Sequence, residues 1–307
     1  MRPFQGIALK LCAVFLFMVM SALIKAASDS VPPGQAVFFR SVFAIPVILT
    51  WLVWRRELTT GLKVTSRMGH FWRGIVGTTA MGLMFAGLGL LPLPEVTALG
   101  YTAPLLVVIF AAMFLDEKVG IFRISAVLLG LVGVLVVLYP RLTALNEPSV
   151  DTVQAVGAIM VLLGATCAAL AQIYIRKLVQ TEQTSAIVFY FSLTSTLLSL
   201  LTLPFGWVIP GGTETVLLIS AGLIGGLAQI FLTSSYRFAD ASVIAPFDYA
   251  SMLFAIAIGY VVFDEVPTPH MLLGAALIVL AGIIIILRER QLGLKRGQAR
   301  ALKTPQG

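Results

Sequence analysis

The chain has 307 residues, 59% hydrophobic and 11% charged, with a formal net charge of +7. A soluble domain carries about 25% charged residues, so an ordinary water-facing surface is excluded. The apolar residues fall instead into blocks of the roughly 20 residues that cross a bilayer as helix, and the fold class expected is an all-α membrane protein.

Ten spans are predicted in chain order, near 6–26, 35–54, 70–91, 95–115, 121–139, 155–176, 184–204, 213–236, 241–263 and 270–287. Span 1 follows Arg2 and also has the look of a signal peptide. Cleaving it would leave nine spans and move the basic tail to the wrong side, so it is read as a span. The links are short, and the longest polar segment is the tail from Arg288 to Gly307, expected to fray over lipid headgroups.

With a cytoplasmic N-terminus and ten crossings, 18 of the 21 Lys and Arg fall on the cytoplasmic side. That count includes Lys10, Arg73 and the six basic residues of the tail; only Lys25, Arg40 and Arg141 fall toward the far side. An asymmetry of this size follows the positive-inside rule. It assigns the positive charge to membrane topology and not to nucleic acid, with both termini expected on the cytoplasmic side. Cys12 and Cys167 lie within apolar spans and form neither a disulfide framework nor a metal-site spacing.

Spans 1 and 2 hold the two basic residues on the unexpected side. Lys25 lies one turn from Ser21, near the far end of span 1, and Arg40 interrupts "QAVFFRSVFAIPVILTWLVW" between Phe39 and Ser41. Two readings stand. Both side chains snorkel to the headgroups, or Arg40 faces a wet cavity and holds carbonyl, hydroxyl or anionic groups of a substrate. Span 4 carries Tyr101 and a helix-bending Pro104, and ends in "LDE". Span 6 repeats the span 1 arrangement with Gln172 one turn before Arg176, and span 7 has Tyr190.

Span 8 places Gln229 and Tyr236 two turns apart on one face, after Gly222 and Gly226 at the GxxxG spacing that brings helices close. Span 9 holds "ASVIAPFDYASMLF", with Asp248 between Pro246 and Tyr249. An intramembrane carboxylate is either a proton-coupling or gating group, or half of a structural ion pair; Arg237 and Arg176 are the partners on its side. Tyr101, Tyr190, Tyr236 and Tyr249 with the two glutamines suit a flat, polar-edged molecule, although each tyrosine alone also reads as packing. Trp51, Trp54, Trp72 and Trp207 stand at span ends as interface anchors. His70 and His270 have no second ligand nearby in sequence, so no metal or other cofactor is expected.

The chain repeats itself. "TALGYTAPLLVVIFAAMFLDEKV" aligns without a gap on "APFDYASMLFAIAIGYVVFDEVP", matching Tyr101 to Tyr249, Asp116 to Asp264 and Glu117 to Glu265. Lys25 falls opposite Arg176, and Arg40 opposite Tyr190. Five spans per copy is an odd number, so the second copy enters from the opposite side, as in inverted-repeat transporters. The expected division is a first repeat over 1–145, a second, inverted repeat over 146–290 and a basic cytoplasmic tail over 291–307. Glu117 and Glu265 read as residues organising the turns that follow spans 4 and 9, with gating as the alternative.

Five-span repeats whose fourth span closes in "LDE" or "FDE" resemble the drug/metabolite transporter superfamily, and within it the ten-span EamA family. The resemblance covers Gly6 to about Leu287. It implies a central cavity lined by spans 1–4 and 6–9, with spans 5 and 10 at the periphery. "SALIKAA", "QAVFFR" and "ASVIAPFDYASMLF" are similar to a proteobacterial branch that includes riboflavin uptake transporters. The function expected is secondary transport of a small organic metabolite, riboflavin uptake first, with export or exchange of amino acids or a nucleoside-like metabolite such as S-adenosylmethionine as the alternative. Lys25 and Arg40 would form the outer wall of the site, and Asp248 and Gln172 the inner one. No GxxxxGK[ST] loop is present, so the chain carries no ATPase motif of its own. An intramembrane enzyme or a non-transporting scaffold is the reading from another class, and no nucleophile and base converge at one depth to support the enzyme. The expected partners are the substrate and the bilayer, with no obligatory protein partner.

Overall fold

The computed structural model describes residues 3–114, 121–143, 150–178, 181–238 and 245–301. Every regular element among them is helical: α1 Pro3–Ala27, α2 Pro33–Trp54, α3 Arg67–Leu90, α4 Leu93–Gly100, α5 Thr102–Phe114, α6 Ile121–Thr143, α7 Val150–Leu178, α8 Thr184–Leu200 and α9 Gly212–Phe238, then a 3-10 turn over Ala245–Tyr249, α10 Ala250–Phe263 and α11 Pro269–Ala301. Seven of these stretches are long and apolar enough to cross a membrane, and three shorter apolar helices complete the ten expected spans. The end of the bundle that holds the start of α1 is the termini side, and the opposite end is the far side.

Spans 4 and 9 depart from single helices, for a proline in each. Span 4 is α4 and α5 with Tyr101 at the break. Pro104 has no N–H for the Gly100 carbonyl and its ring crowds that carbonyl, so the α-helical ladder stops there. Span 9 opens with the 3-10 turn containing Pro246 and becomes α-helical only after Tyr249. The two tyrosines paired by the repeat thus sit at the two backbone breaks. Span 10 also departs from expectation: α11 continues as helix through Ala301, well past the apolar block.

The packing follows the repeat. α1 runs along α9, and its counterpart α7 runs along α3; α6 and α11 pair with each other, and α2 lies against both α8 and α9. The glycines of α9 serve the close approach expected of them. A methyl group on Gly222 would stand 2.8 Å from the Phe39 carbonyl oxygen, and one on Gly226 3.1 Å from the Ala44 Cα. Equivalent side chains secure α2 and α8 at opposite ends. On the far side the Gln35 amide donates to the Val208 carbonyl (2.8 Å) and accepts from its N–H (3.1 Å). On the termini side the Ser185 hydroxyl donates to the Gly61 carbonyl at 2.7 Å.

The "FDE" motif has a physical cause. α10 ends with Asp264 in the left-handed region (φ 54°), a conformation that short polar side chains tolerate better than other non-glycine residues. The Glu265 N–H then bonds back to the Gly259 carbonyl at 3.0 Å, a closure one residue wider than that of a Schellman turn. That turn brings the Glu265 carboxylate back over the bundle.

Candidate functional site

Glu265 lands on Lys25. The two are 2.9 Å apart and each side chain is 14% exposed. The Lys25 ammonium also donates to the carbonyls of Leu91 (2.7 Å) and Leu88 (3.1 Å), which are left open where α3 ends. The other Glu265 oxygen accepts from the Leu93 N–H at 2.8 Å, at the start of α4. One ion pair therefore fastens the far-side ends of α1, α3, α4 and α10. Its counterpart in the repeat, Arg176 with Glu117, lies outside the described side chains.

A second ion pair lies toward the termini side. Lys10 of α1, whose side chain is 2% exposed, meets Asp248 at 2.7 Å. The sequence counts Lys10 with the cytoplasmic flank and looks to Arg237 or Arg176 for Asp248; the side chains of both arginines lie outside the described residues. Beside this pair the Tyr101 and Tyr249 rings stand edge to face, 5.1 Å between centroids. The Tyr101 hydroxyl bonds to the Ser251 hydroxyl, and the Tyr249 hydroxyl occupies the space above Gly282 of α11. The two breaks thus meet across the repeats.

Arg40 and Lys25 do not share partners. Arg40 is 5% exposed, and among the described residues its Nε has no hydrogen-bond acceptor. Its guanidinium carbon lies 5.8 Å from the centre of the Phe191 ring of α8. A second arginine, Arg73 of α3, stacks on the same ring at 3.8 Å, and its Nε and Nη1 are buried without an acceptor among the described residues. The described ion pairs are Lys10–Asp248, Lys25–Glu265, Arg55–Glu57 and His70–Glu182, so neither Arg40 nor Arg73 has a carboxylate among the described residues. These distances put the two guanidinium carbons within about 10 Å of each other, a repulsion of about 2 kcal/mol at an effective dielectric of 20.

Both arginines run away from the nearest membrane surface. Arg73 enters α3 from the termini side, and its Nη1 lies over Gly77, one turn deeper. A Cβ at Gly77 would collide with that nitrogen, so glycine there leaves the guanidinium its place. Arg40 enters α2 from the far side, and its Nε lies 3.5 Å from where a Gly225 Cβ would be. Gly222 packs on Phe39 and Phe43, and Gly226 on Ala44 and Val47, so Gly225 stands about one turn deeper than Arg40. Snorkelling side chains run the other way. Polar groups accompany the pair: the buried hydroxyls of Ser41 and Ser192 have no hydrogen-bond partner among the described residues, and Thr78 bonds to Ser195 at 2.7 Å.

The remaining sequence-picked residues are dispersed. Tyr190 donates to the Leu62 carbonyl of the α2–α3 link at 3.2 Å and packs on His70 of α3. There Glu182 accepts from the N–H groups of Thr65 and Ser66, holding the start of α3. Gln172 is exposed on α7, Gln229 is half-buried on α9, and the Tyr236 side chain lies outside the described residues. A cavity of about 260 Å³ opens between the far-side ends of α1, α2 and α3, with a mostly apolar lining that includes Ile24, Val31, Phe85 and Leu90. It lies apart from the arginines.

Sequence reasoning misses Arg73 and the buried serines. Arg73 falls inside the predicted third span, yet by charge it groups with the basic link before it. Ser185, Ser192, Ser195 and Ser199 recur at helical spacing along α8, and all four are buried. A polar stripe of that kind in an apolar span is the available signal.

Comparison with known proteins agrees with this architecture. The profile of the EamA-like transporter family matches twice, over residues 4–139 and 155–288. The pseudopaline exporter CntI of Pseudomonas aeruginosa is 31% identical over 285 residues, 92% of this chain and 95% of that protein. A riboflavin transporter of Vibrio cholerae is 31% identical, covering 91% of this chain and 92% of its own. An S-adenosylmethionine uptake transporter of Rickettsia felis is 28% identical, with 84% of each chain covered. A solved crystal structure, 20% identical, superimposes with a TM-score of 0.64 over 92% of this chain and 97% of that one, which supports the fold. Two profile matches spanning nearly the whole chain, on a ten-span bundle whose halves pack as counterparts, make this protein a member of the EamA-like transporter family.

Proposed function

We propose that the chain is a secondary transporter moving a small organic metabolite across the bacterial inner membrane, with both termini cytoplasmic. The halves rock about the contact between spans 4 and 9, and Lys25–Glu265 holds the periplasmic end closed in the state described. The observation that carries the reading is the Arg40–Phe191–Arg73 group. It puts buried donors, unpaired among the described residues, inside a bundle that, in this family, is built to carry solutes. Such groups are expensive in a bilayer and mark substrate pathways.

Riboflavin uptake is the first substrate reading. It is supported by the likeness to the Vibrio cholerae riboflavin transporter and by the aromatic contacts between spans 4 and 9. A specific observation favours a second reading, an amino-acid or nucleoside-like metabolite such as S-adenosylmethionine. Two arginines without a carboxylate among the described residues call for an anionic group, and riboflavin has none at neutral pH.

The test is flux into proteoliposomes of labelled riboflavin and of labelled S-adenosylmethionine, with growth of a riboflavin auxotroph on low vitamin alongside. Riboflavin accumulation with rescue of growth supports the first reading. S-adenosylmethionine flux without rescue supports the second. No flux of these or of a panel of amino acids, from protein shown to be folded, would defeat the proposal.

A further inference from the structure

Resting on the reading of the chain as a transporter, we infer that Arg40 and Arg73 form a two-sided oxyanion site around Phe191, and that the transported solute carries a carboxylate or phosphate next to an apolar or planar portion. The chemistry starts from the donors. A guanidinium presents N–H groups in a planar fork that matches carboxylate and phosphate oxygens. Here at least three of these nitrogens, Nε of Arg40 and Nε and Nη1 of Arg73, are buried without an acceptor among the described residues. Buried polar groups in folded proteins are nearly always satisfied, so orphaned donors of one type, converging from two helices, mark a place for a group of opposite charge.

Geometry separates this site from a structural or lipid-facing role. Each arginine runs about one turn deeper than its own backbone, Arg73 over Gly77 and Arg40 toward Gly225. Headgroup phosphates sit at the surfaces the side chains turn away from. Phe191 lies under Arg73 at 3.8 Å and beside Arg40 at 5.8 Å, so its ring fixes the guanidinium plane and leaves an apolar wall next to the anion. The two positive charges repel each other while the site is empty, and an oxyanion between them removes that repulsion.

The experiment measures binding to the full-length protein in phosphatidylcholine nanodiscs, free of anionic lipid, by calorimetry. The probes are matched pairs: riboflavin against riboflavin 5′-phosphate, S-adenosylmethionine against its decarboxylated form, and tryptophan against tryptamine. At least one oxyanion member is expected to bind tenfold or more tightly than its partner lacking the oxyanion. Its Kd is expected to rise at least tenfold in both Arg40→Gln and Arg73→Gln, with a smaller rise in Arg73→Lys, which keeps the charge and loses the fork. Whether the carboxylate or the phosphate pairs respond identifies the anion.

Equal affinity within every pair, or an oxyanion held as tightly by both glutamine variants, overturns the proposal. So does the absence of any member binding below about 1 mM. Melting and gel filtration of the variants separate lost binding from lost fold. Flux measured on the same preparations separates the two proposals: flux with anion-blind binding defeats the site and keeps the transporter.

Discussion

Replacing Lys25 with alanine should open the far side of the bundle. The ammonium has three partners, Glu265 at 2.9 Å and the carbonyls of Leu91 and Leu88 at 2.7 and 3.1 Å. Hydrogen bonds involving a charged group contribute about 1.5–3 kcal/mol each, and breaking a buried pair costs about 3–5 kcal/mol. Both side chains retain 14% exposure, so water compensates part of the loss, and a net shift of about 3 kcal/mol is the working figure. That moves the ratio of closed to open far side by about two orders of magnitude. The assay is labelling of a Thr97→Cys reporter by a membrane-impermeant maleimide, with Cys12 and Cys167 replaced by serine. Thr97 is buried on α4 facing Met18 of α1, behind the ion pair. Labelling should accelerate strongly in Lys25→Ala and in Glu265→Gln, and the double variant should add little to either. A rate within about twofold of the parent in both single variants would refute the clamp.

Other consequences follow from the same contacts. Asp248→Asn leaves the buried Lys10 ammonium facing a neutral amide in place of its carboxylate; melting in detergent should fall by several degrees, and Lys10→Met in the same chain should restore part of it. Gly282→Ala puts a methyl group where the Tyr249 hydroxyl lies, so it should displace the tyrosine and reduce flux, while Tyr249→Phe in that background should recover part of it. Asp264→Gly should be neutral or slightly stabilising because the position is left-handed, whereas Asp264→Val should cost about 1–2 kcal/mol, read from thermal denaturation. Glu182→Ala removes the acceptor of two backbone N–H groups at the start of α3 and should raise protease cutting in the α2–α3 link.

The spans are legible in the sequence because bilayer thickness sets a length that composition alone can meet, and the repeat is legible because "YTAPLL" and "YASMLF" keep their spacing to the closing acidic pair. The breaks are less so. Pro104 announces a bend, but a bend and a complete interruption at Tyr101 look alike in sequence. The extension of α11 to Ala301 is hidden because a polar tail can continue a helix that an apolar segment begins. The motif "FDE" reads as organising a turn; its reach to Lys25 depends on the left-handed Asp264, which composition does not show.

The site illustrates a sharper limit. Position along a span gives the depth of a residue's backbone, and a long basic side chain spans a further helical turn in either direction. Arg40 stands out in the sequence because it lies on the side where positive charge is rare. Arg73 escapes notice because it lies on the side where positive charge is common, although both turn toward the interior. Direction is decided by the space left open around each side chain: Gly77 of the same helix clears a path for Arg73, Gly225 of α9 one for Arg40, and Phe191 of α8 gives both a surface to meet. Gly77→Ala is therefore the most economical probe of the arrangement, since it replaces neither arginine. The added methyl group would overlap Arg73 Nη1 and stand 2.8 Å from the Phe191 ring. It should push Arg73 off the ring, weaken oxyanion binding at least tenfold and leave the fold intact. Unchanged binding in that variant would mean that Arg73 reaches the interior without the opening, and that the glycine does not set the direction of its side chain.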